Sequence, residues 1–185
     1  MKGIVFNLLE EVVRESHGED TWDDLLEAAG LDGAYSALGS YPDGDLLRLV
    51  AAASAALKLP PDEVVRWFAQ QALPLLARKY PGFFQAHRST RPFLLTLNDI
   101  IHPEVRKIYP GADVPEFGYD TSMDKVLVMS YRSPRHFCAF AQGLVEGAAA
   151  HYGEGVTFEH LRCMKAGDPE CLWRIEFRPG EAAHA

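Results

Sequence analysis

The chain of 185 residues lacks an excess of positive charge: 18 lysines and arginines face 26 aspartates and glutamates, a formal net charge of −8. That balance argues against nucleic acid or membrane as a main partner, because anionic surfaces need a basic face. Long apolar runs are also missing. The longest, Leu49 to Leu57, is far too short to span a bilayer. The opening MKGIVFNLLEEVV does not read as a signal peptide, since Glu10 and Glu11 interrupt it and no small-residue cleavage site follows. Cysteine is scarce. The three present cannot all pair within one chain, so a reducing, cytoplasmic compartment is the expectation. No repeat or low-complexity linker stands out. Neither does a nucleophile–base motif, a phosphate loop or a pair of acids, which makes an enzyme the least favoured class. What is there is an ordinary globular composition, 48% apolar and 24% charged, at a length that suits a single domain over 1–185.

Apolar periodicity organises the first part of the chain. Ile4, Phe6, Leu8, Leu9, Val12 and Val13 predict an amphipathic helix over 3–17. Thr21 followed by Asp24 resembles an N-terminal capping box, and Gly30 sits where that helix would stop. A further helix is expected over 45–58, and Pro60 and Pro61 open the next, which Pro74 should kink or end. Residues 92–108 read as one helix ending at Tyr109-Pro110-Gly111, bent by Pro103. The pattern then changes. Lys125 to Tyr131 alternates like a strand, 136–151 returns to helix, and 156–164 and 171–178 read as strands around a turn at 166–170. The last residues, GEAAHA, look like a frayed tail. The class is therefore α+β, helical first and mixed afterwards.

Tyr131, Ser133 and Arg135 fall as Y-x-S-x-R. On an extended strand they would share one side, presenting a phenol, a hydroxyl and a guanidinium to carboxylates of a ligand. Pro134 requires a sheet edge or strand end there. Spacing alone fits a solvated strand end at least as well.

The combination His102, Tyr109-Pro110-Gly111-Ala112-Asp113, Pro115 and Tyr131-x-Ser133-x-Arg135 resembles the H-NOX (haem–nitric oxide/oxygen binding) family over nearly the full chain, and GIVFNLLEEVV fits its first helix. The resemblance implies a helical distal subdomain, about 1–60, over a proximal subdomain, about 61–180, with a four-stranded antiparallel sheet and haem b between them. It implies that Tyr131, Ser133 and Arg135 bond the haem propionates, that Pro115 presses on the porphyrin, and that His102 ligates the iron. A neutral imidazole is a common haem ligand and leaves the other iron face open. Leu97, Ile100 and Ile101 beside His102 are expected to exclude water. A lone histidine is otherwise more often a core or surface residue; position relative to the motif picks out this one.

Oxygen-binding members of the family place a tyrosine in the distal pocket; the corresponding residue here is Phe140, with Leu144 one turn on. Val5 and Leu9 are expected to face the same pocket. None of the four can donate to a bound oxygen, a bond worth ~1–3 kcal/mol, so NO and CO are the expected ligands and O2 is not. Gln70 or Gln71 reaching in would change that.

The cysteines form a second candidate site. Cys138 precedes H-x-x-C-x7-C, that is His160, Cys163 and Cys171, and together they make a Cys3His set of the kind that closes around structural zinc. On a flat strand His160 and Cys163 point to opposite faces, so the chain must bend there. Cys138 as a buried small hydrophobe is the bland alternative. Some bacterial H-NOX proteins resemble this pattern and bind zinc. The resemblance thus implies a haem-based NO sensor acting on a separate histidine kinase or cyclic-di-GMP enzyme; a gas carrier without signalling and a zinc/thiol redox switch are the alternatives.

Overall fold

The computed structural model describes residues 1–180; the tail expectation falls mainly on 181–185, outside the described residues. Helix α1 (Gly3–His17) buries Phe6, Leu8, Leu9, Val12 and Val13, the stripe its periodicity demands. Gly18, at φ 96°, turns the chain directly into α2 (Glu19–Ala29). The expected cap at Thr21 is therefore wrong. Thr21 already lies inside the helix, and its hydroxyl donates to the His17 carbonyl at 2.8 Å, while Glu19 and Asp20 complement the positive end of the helix dipole. Gly30 closes α2 in the left-handed conformation.

Helix α3 (Asp43–Leu57) is followed by α4 (Pro61–Lys79), which runs unbroken past Pro74. Proline inside a helix costs about 3 kcal/mol. Burial of Ala72, Leu73 and Leu75 offsets that, since each large apolar side chain buried contributes ~1.5–3 kcal/mol. The single helix expected over 92–108 is also corrected. After a short α5 (Pro81–Phe84) come α6 (Thr90–Leu94), a π-helical turn at Leu97–Ile101 and α7 (His102–Ile108). In the π-turn the Ile101 N–H reaches the Thr96 carbonyl and the His102 N–H that of Leu97. Pro103 then falls in the first turn of α7, where a missing N–H costs little.

Strands β1 (Glu116–Asp120), β2 (Val126–Arg132), β3 (Glu154–Arg162) and β4 (Cys171–Pro179) form one antiparallel sheet in the order β1-β2-β4-β3. The register pairs Leu127 with Ile175, Met129 with Trp173 and Tyr131 with Cys171. These side chains, all buried, meet Ala141, Val145 and Ala148 of α8 (Cys138–His151). Residue patterning predicted three of the strands. It missed β1, whose sequence EFGYD buries only Phe117.

Two apolar clusters result, one helical and one between the sheet and α8. Helix α4 serves both: Leu73 belongs to the sheet side, Val64, Phe68, Ala72 and Leu75 to the helical side. Helices α4 and α8 lie so close that a Cβ at Gly143 would meet the Arg66 carbonyl oxygen at 2.2 Å. Glu146 of α8 fastens the pair, accepting both ends of the Arg66 guanidinium, the Gln70 amide and the Gln142 amide.

Candidate functional site

A cavity of about 500 Å³ opens where the two clusters meet, within the size range of cofactor pockets. Its wall is overwhelmingly hydrocarbon. Helix α1 supplies Ile4, Val5 and Leu8; α4 supplies Leu73 and Leu76, with Tyr80 just past its end; α8 supplies Phe140, Ala141, Leu144 and Val145. Facing in as well are Leu97 and Ile101 of the π-turn, His102 and Val105 of α7, then Pro115, Phe117, Tyr131, Ser133 and Arg135. All three residues of the Y-x-S-x-R pattern thus border the same space as His102.

Two expectations fail at this wall. Leu9 is buried in the helical cluster rather than the cavity. Successive helical residues advance by ~100°, so the stripe of Ile4, Val5 and Leu8 leaves Leu9 further round. Ile100 is 55% exposed and shields nothing, because the wide π-turn directs Leu97 and Ile101 inward instead. Ile4, Leu8, Leu73, Leu76 and Tyr80 were missed. Apolar periodicity marked Ile4 and Leu8 as one face of a helix, yet nothing in the sequence says which part of a buried face lines a void.

His102 begins α7 immediately after the π-turn, with its ring stacked at 5.7 Å on Phe117 of β1. Burial pushes the imidazole pKa down to about 4, the Arg106 cation adds to this, and a hydrogen bond to the backbone of Pro115 opposes it. The imidazole is therefore neutral and keeps a ring lone pair, the form in which it ligates a metal.

Strand β2 ends at Arg132. The side-by-side presentation expected of an extended strand therefore holds only for Tyr131. Ser133–His136 is a turn closed by the His136 N–H on the Ser133 carbonyl, with Pro134 at its second position, where proline is favoured. His136 takes φ 54° to lead into α8. Tyr131 is buried; burial raises its phenol pKa, opposed by hydrogen bonds with the Ser133 hydroxyl and the Phe137 backbone. Arg135 bridges two elements: its Nε donates to Asp43 of α3 at 2.8 Å and its Nη1 to Asp113 at 2.9 Å. Asp43 also accepts from the Met1 ammonium. Burial by itself would raise the Asp43 carboxyl; the ammonium and the guanidinium outweigh it and hold the group below the usual carboxylate range.

Other polar side chains at the cavity are engaged. Tyr80 and Tyr109 share a hydrogen bond with each other. Gln70 is tied to Glu146 and Gln71 is exposed, and neither lines the cavity. The residues fit a flat, apolar, carboxylate-bearing metallocycle. The chamber is largely hydrocarbon, the neutral imidazole of His102 lines it, and a phenol, a hydroxyl and a guanidinium stand at one border.

The second site is partly as expected. The sulfurs of Cys138, Cys163 and Cys171 lie within 4.8 Å of one another. Cys138 opens α8, Cys171 opens β4, and Cys163 starts a tight turn in which the Met164 N–H donates to the Cys171 sulfur at 3.3 Å. Burial raises the Cys138 thiol and pushes that of Cys171 up to about 12. His160 is not brought into this group. It pairs across the sheet with Trp173, its ring 5.8 Å from the indole. The bend foreseen between His160 and Cys163 exists as a register shift between His160 and Arg162.

Comparison with known proteins agrees with this geometry. A family profile described as "Haem-NO-binding" matches residues 2–160. An H-NOX protein from S. oneidensis, solved in the Fe(II)NO ligation state, is 31% identical, with a TM-score of 0.90, covering 96% of this chain and 99% of its own. An H-NOX from Shewanella woodyi, solved bound to IWP-051 in the Fe(II)CO state, is 31% identical at a TM-score of 0.83, covering 100% and 98%. The Fe(II) unliganded H-NOX from K. algicida is 26% identical at 0.83, with full coverage of both chains. Among the described residues no helix is long and apolar enough to cross a membrane.

Proposed function

The chain belongs to the haem-NO-binding, or H-NOX, family of haem-binding gas-sensor domains, and from that premise we propose that it is a nitric oxide sensor whose haem b iron is held by His102. The observation that carries this reading is a single one: the imidazole of His102, kept neutral by burial, lines a largely hydrocarbon cavity of about 500 Å³ bordered by Tyr131, Ser133 and Arg135. Those three residues would hold the haem carboxylates, with Arg135 exchanging or sharing its bonds to Asp43 and Asp113. Pro115 would bear on the macrocycle beside the ligand. Ile101 and Leu97 would keep water from the iron.

Haem bound here would supply an iron that takes up a diatomic gas and whose bond to His102 would weaken when NO binds. The chain does the rest. His102 is the first residue of α7, at the end of a π-turn, so its release frees the helix it begins. Arg135 links the mixed part of the molecule to Asp43 on α3, so movement near the motif is passed to the helical part. This is a two-state element biased by a ligand, which switching requires. Taking 1–60 as the distal unit and 61–180 as the proximal one, α4 packs into the apolar clusters of both.

Selectivity for NO and CO over O2 is supported by the wall made of Val5, Phe140 and Leu144, which offers no donor. Gln70 is occupied by Glu146 and Tyr80 by Tyr109. The absorption spectrum of the ferrous protein tests the reading. A five-coordinate high-spin haem that becomes a five-coordinate nitrosyl with NO, and forms no stable oxy complex in air, is expected; a stable oxy spectrum overturns the selectivity. The output partner is a separate histidine kinase or cyclic-di-GMP enzyme. Its autophosphorylation or turnover should differ between the ferrous and NO-bound protein; an unchanged rate with both candidate partner classes favours a carrier.

The cysteine cluster supports an additional zinc site held by thiolates of Cys138, Cys163 and Cys171; His160 would have to leave Trp173 to serve as fourth ligand. The N–H donated to the Cys171 sulfur suits a thiolate, and a divalent cation would reverse the effect of burial on these thiols. Oxidation of such thiolates would release the ion, giving a redox input. Zinc well below one per chain, in protein purified without chelators, rejects the site.

A further inference from the structure

Asn98 lies in the π-turn, four residues before His102, and does not border the large cavity. Its carboxamide takes both main-chain groups of one residue of β1. Its Nδ2 donates to the Phe117 carbonyl at 2.6 Å, and the Phe117 N–H donates to its Oδ1 at 3.3 Å. Strand β1 pairs only with β2, so it is an edge of the sheet, and alternate residues of an edge strand turn their N–H and C=O outward. At Phe117 the Asn98 side chain fills the place of the missing neighbour strand. The match is specific: a carbonyl only accepts and an N–H only donates, so a carboxamide satisfies both, while a carboxylate has no donor to offer. A second bond clamps the same strand, from the Tyr119 hydroxyl to the Leu94 carbonyl at 2.7 Å.

The strand so held carries the ring against which His102 lies. Phe117 lines the cavity and stacks on the imidazole, with 5.7 Å between centroids and 28° between planes. The same ring meets Tyr131 at 5.8 Å. Residues four apart share a face of a helical turn, so Asn98 and His102 both reach Phe117, one at its backbone and the other at its ring.

We propose that Asn98 is a positioning residue for the iron ligand: by fixing Phe117 against the π-turn it sets the orientation of the His102 imidazole, and with it the strength of the bond to iron and the ease with which that bond yields to NO. This rests on reading His102 as the haem ligand. Without the carboxamide the Phe117 ring is free to shift, the imidazole loses its stacking surface, and its lone pair points less squarely at the metal. Asn98 itself touches neither haem nor gas and acts only through Phe117.

The test uses the haem-loaded ferrous protein. Asn98→Leu, close in size and without donor or acceptor, removes both bonds. The iron–histidine stretching band in its resonance Raman spectrum is expected at lower frequency, and its NO complex should pass from six- to five-coordinate about fivefold faster, roughly 1 kcal/mol of lowered barrier. Asn98→Asp keeps the shape but sets an acceptor against the Phe117 carbonyl, and should shift the band in the same direction. Ile100→Ala, exposed on the same turn, should alter neither readout. Phe117→Leu removes the ring; combined with it, Asn98→Leu should add little, because residues acting through one contact are not additive. In the unaltered CO-bound protein the Phe117 amide should be protected from hydrogen exchange, a measurement independent of whether a variant folds. An unmoved Raman band in Asn98→Leu, effects of Asn98→Leu and Phe117→Leu that simply add, or an unprotected Phe117 amide overturns the proposal while leaving His102 as ligand. A protein that takes up no haem defeats the reading of the large cavity, and the role of Asn98 with it.

Discussion

The large cavity has two unlike walls. Around His102, Tyr131, Ser133 and Arg135 the wall carries donors and acceptors, and Arg135 is already held by Asp43 and Asp113. Where α1, α4 and α8 line it, Val5, Leu8, Leu73, Phe140 and Leu144 offer only hydrocarbon. The first wall positions a group by specific bonds. The second, on the proposed reading, would act by what it withholds, because it offers a bound gas no donor.

The largest expected effect comes from removing the positioning wall's centre. His102→Gly should lower haem affinity beyond the ~10–100-fold typical of losing a group that only orients a ligand. Titration with free imidazole should restore a His-like ferrous spectrum, and failure to do so places the ligand elsewhere. Arg135→Ala ranks next. Losing a charge-assisted bond costs ~1.5–3 kcal/mol, so haem should transfer to an excess of a stronger haem acceptor about tenfold to a hundredfold faster. An unchanged rate means the guanidinium serves only Asp43 and Asp113.

Phe140→Tyr breaks the contrast from the other side by giving the hydrocarbon wall a hydroxyl. Oxygen affinity should rise about tenfold, from a bond worth ~1–3 kcal/mol, and an oxy spectrum should persist in air. If it does not, another group already governs oxygen. The smallest effect is at Asp43, whose carboxyl is held low by the Met1 ammonium and Arg135. A carboxylate depressed in the folded state stabilises above its unfolded pKa, ~3.9, and loses that contribution as pH falls through the folded value. The haem-loaded protein should therefore lose part of its stability below about pH 4, and Asp43→Asn should flatten that stretch of the acid melting curve. A curve of unchanged shape excludes Asp43 from the latch.

Legibility followed the same division. The family resemblance grouped His102, Pro115, Tyr131, Ser133 and Arg135, and the structure places all five around one cavity. Phe140 and Leu144 were placed by offset from that motif and Val5 from the first helix, and all three border the cavity. Leu9 and Ile100 were misplaced, since hydrophobicity tells burial but not which void a buried face borders. Three of the four expected zinc ligands come together because Cys163 and Cys171 flank one turn and Cys138 opens the helix above it. His160 stays with Trp173 because the pairing of β3 with β4 placed it there.

Residue order alone determined the α+β class, the course of α1, the Gly30 stop and the spacing of the motif, because each depends on local periodicity, backbone preference or side-chain chemistry. Only the tertiary structure decided that α4 survives Pro74, that 92–108 splits around a π-turn with Pro103 in a first turn, and that Arg135 meets Asp43 from 92 residues away. It also decided where the hydrocarbon walls leave space. Those outcomes are sums of packing between distant segments, and packing energy of several kcal/mol overrides local preference wherever the two disagree.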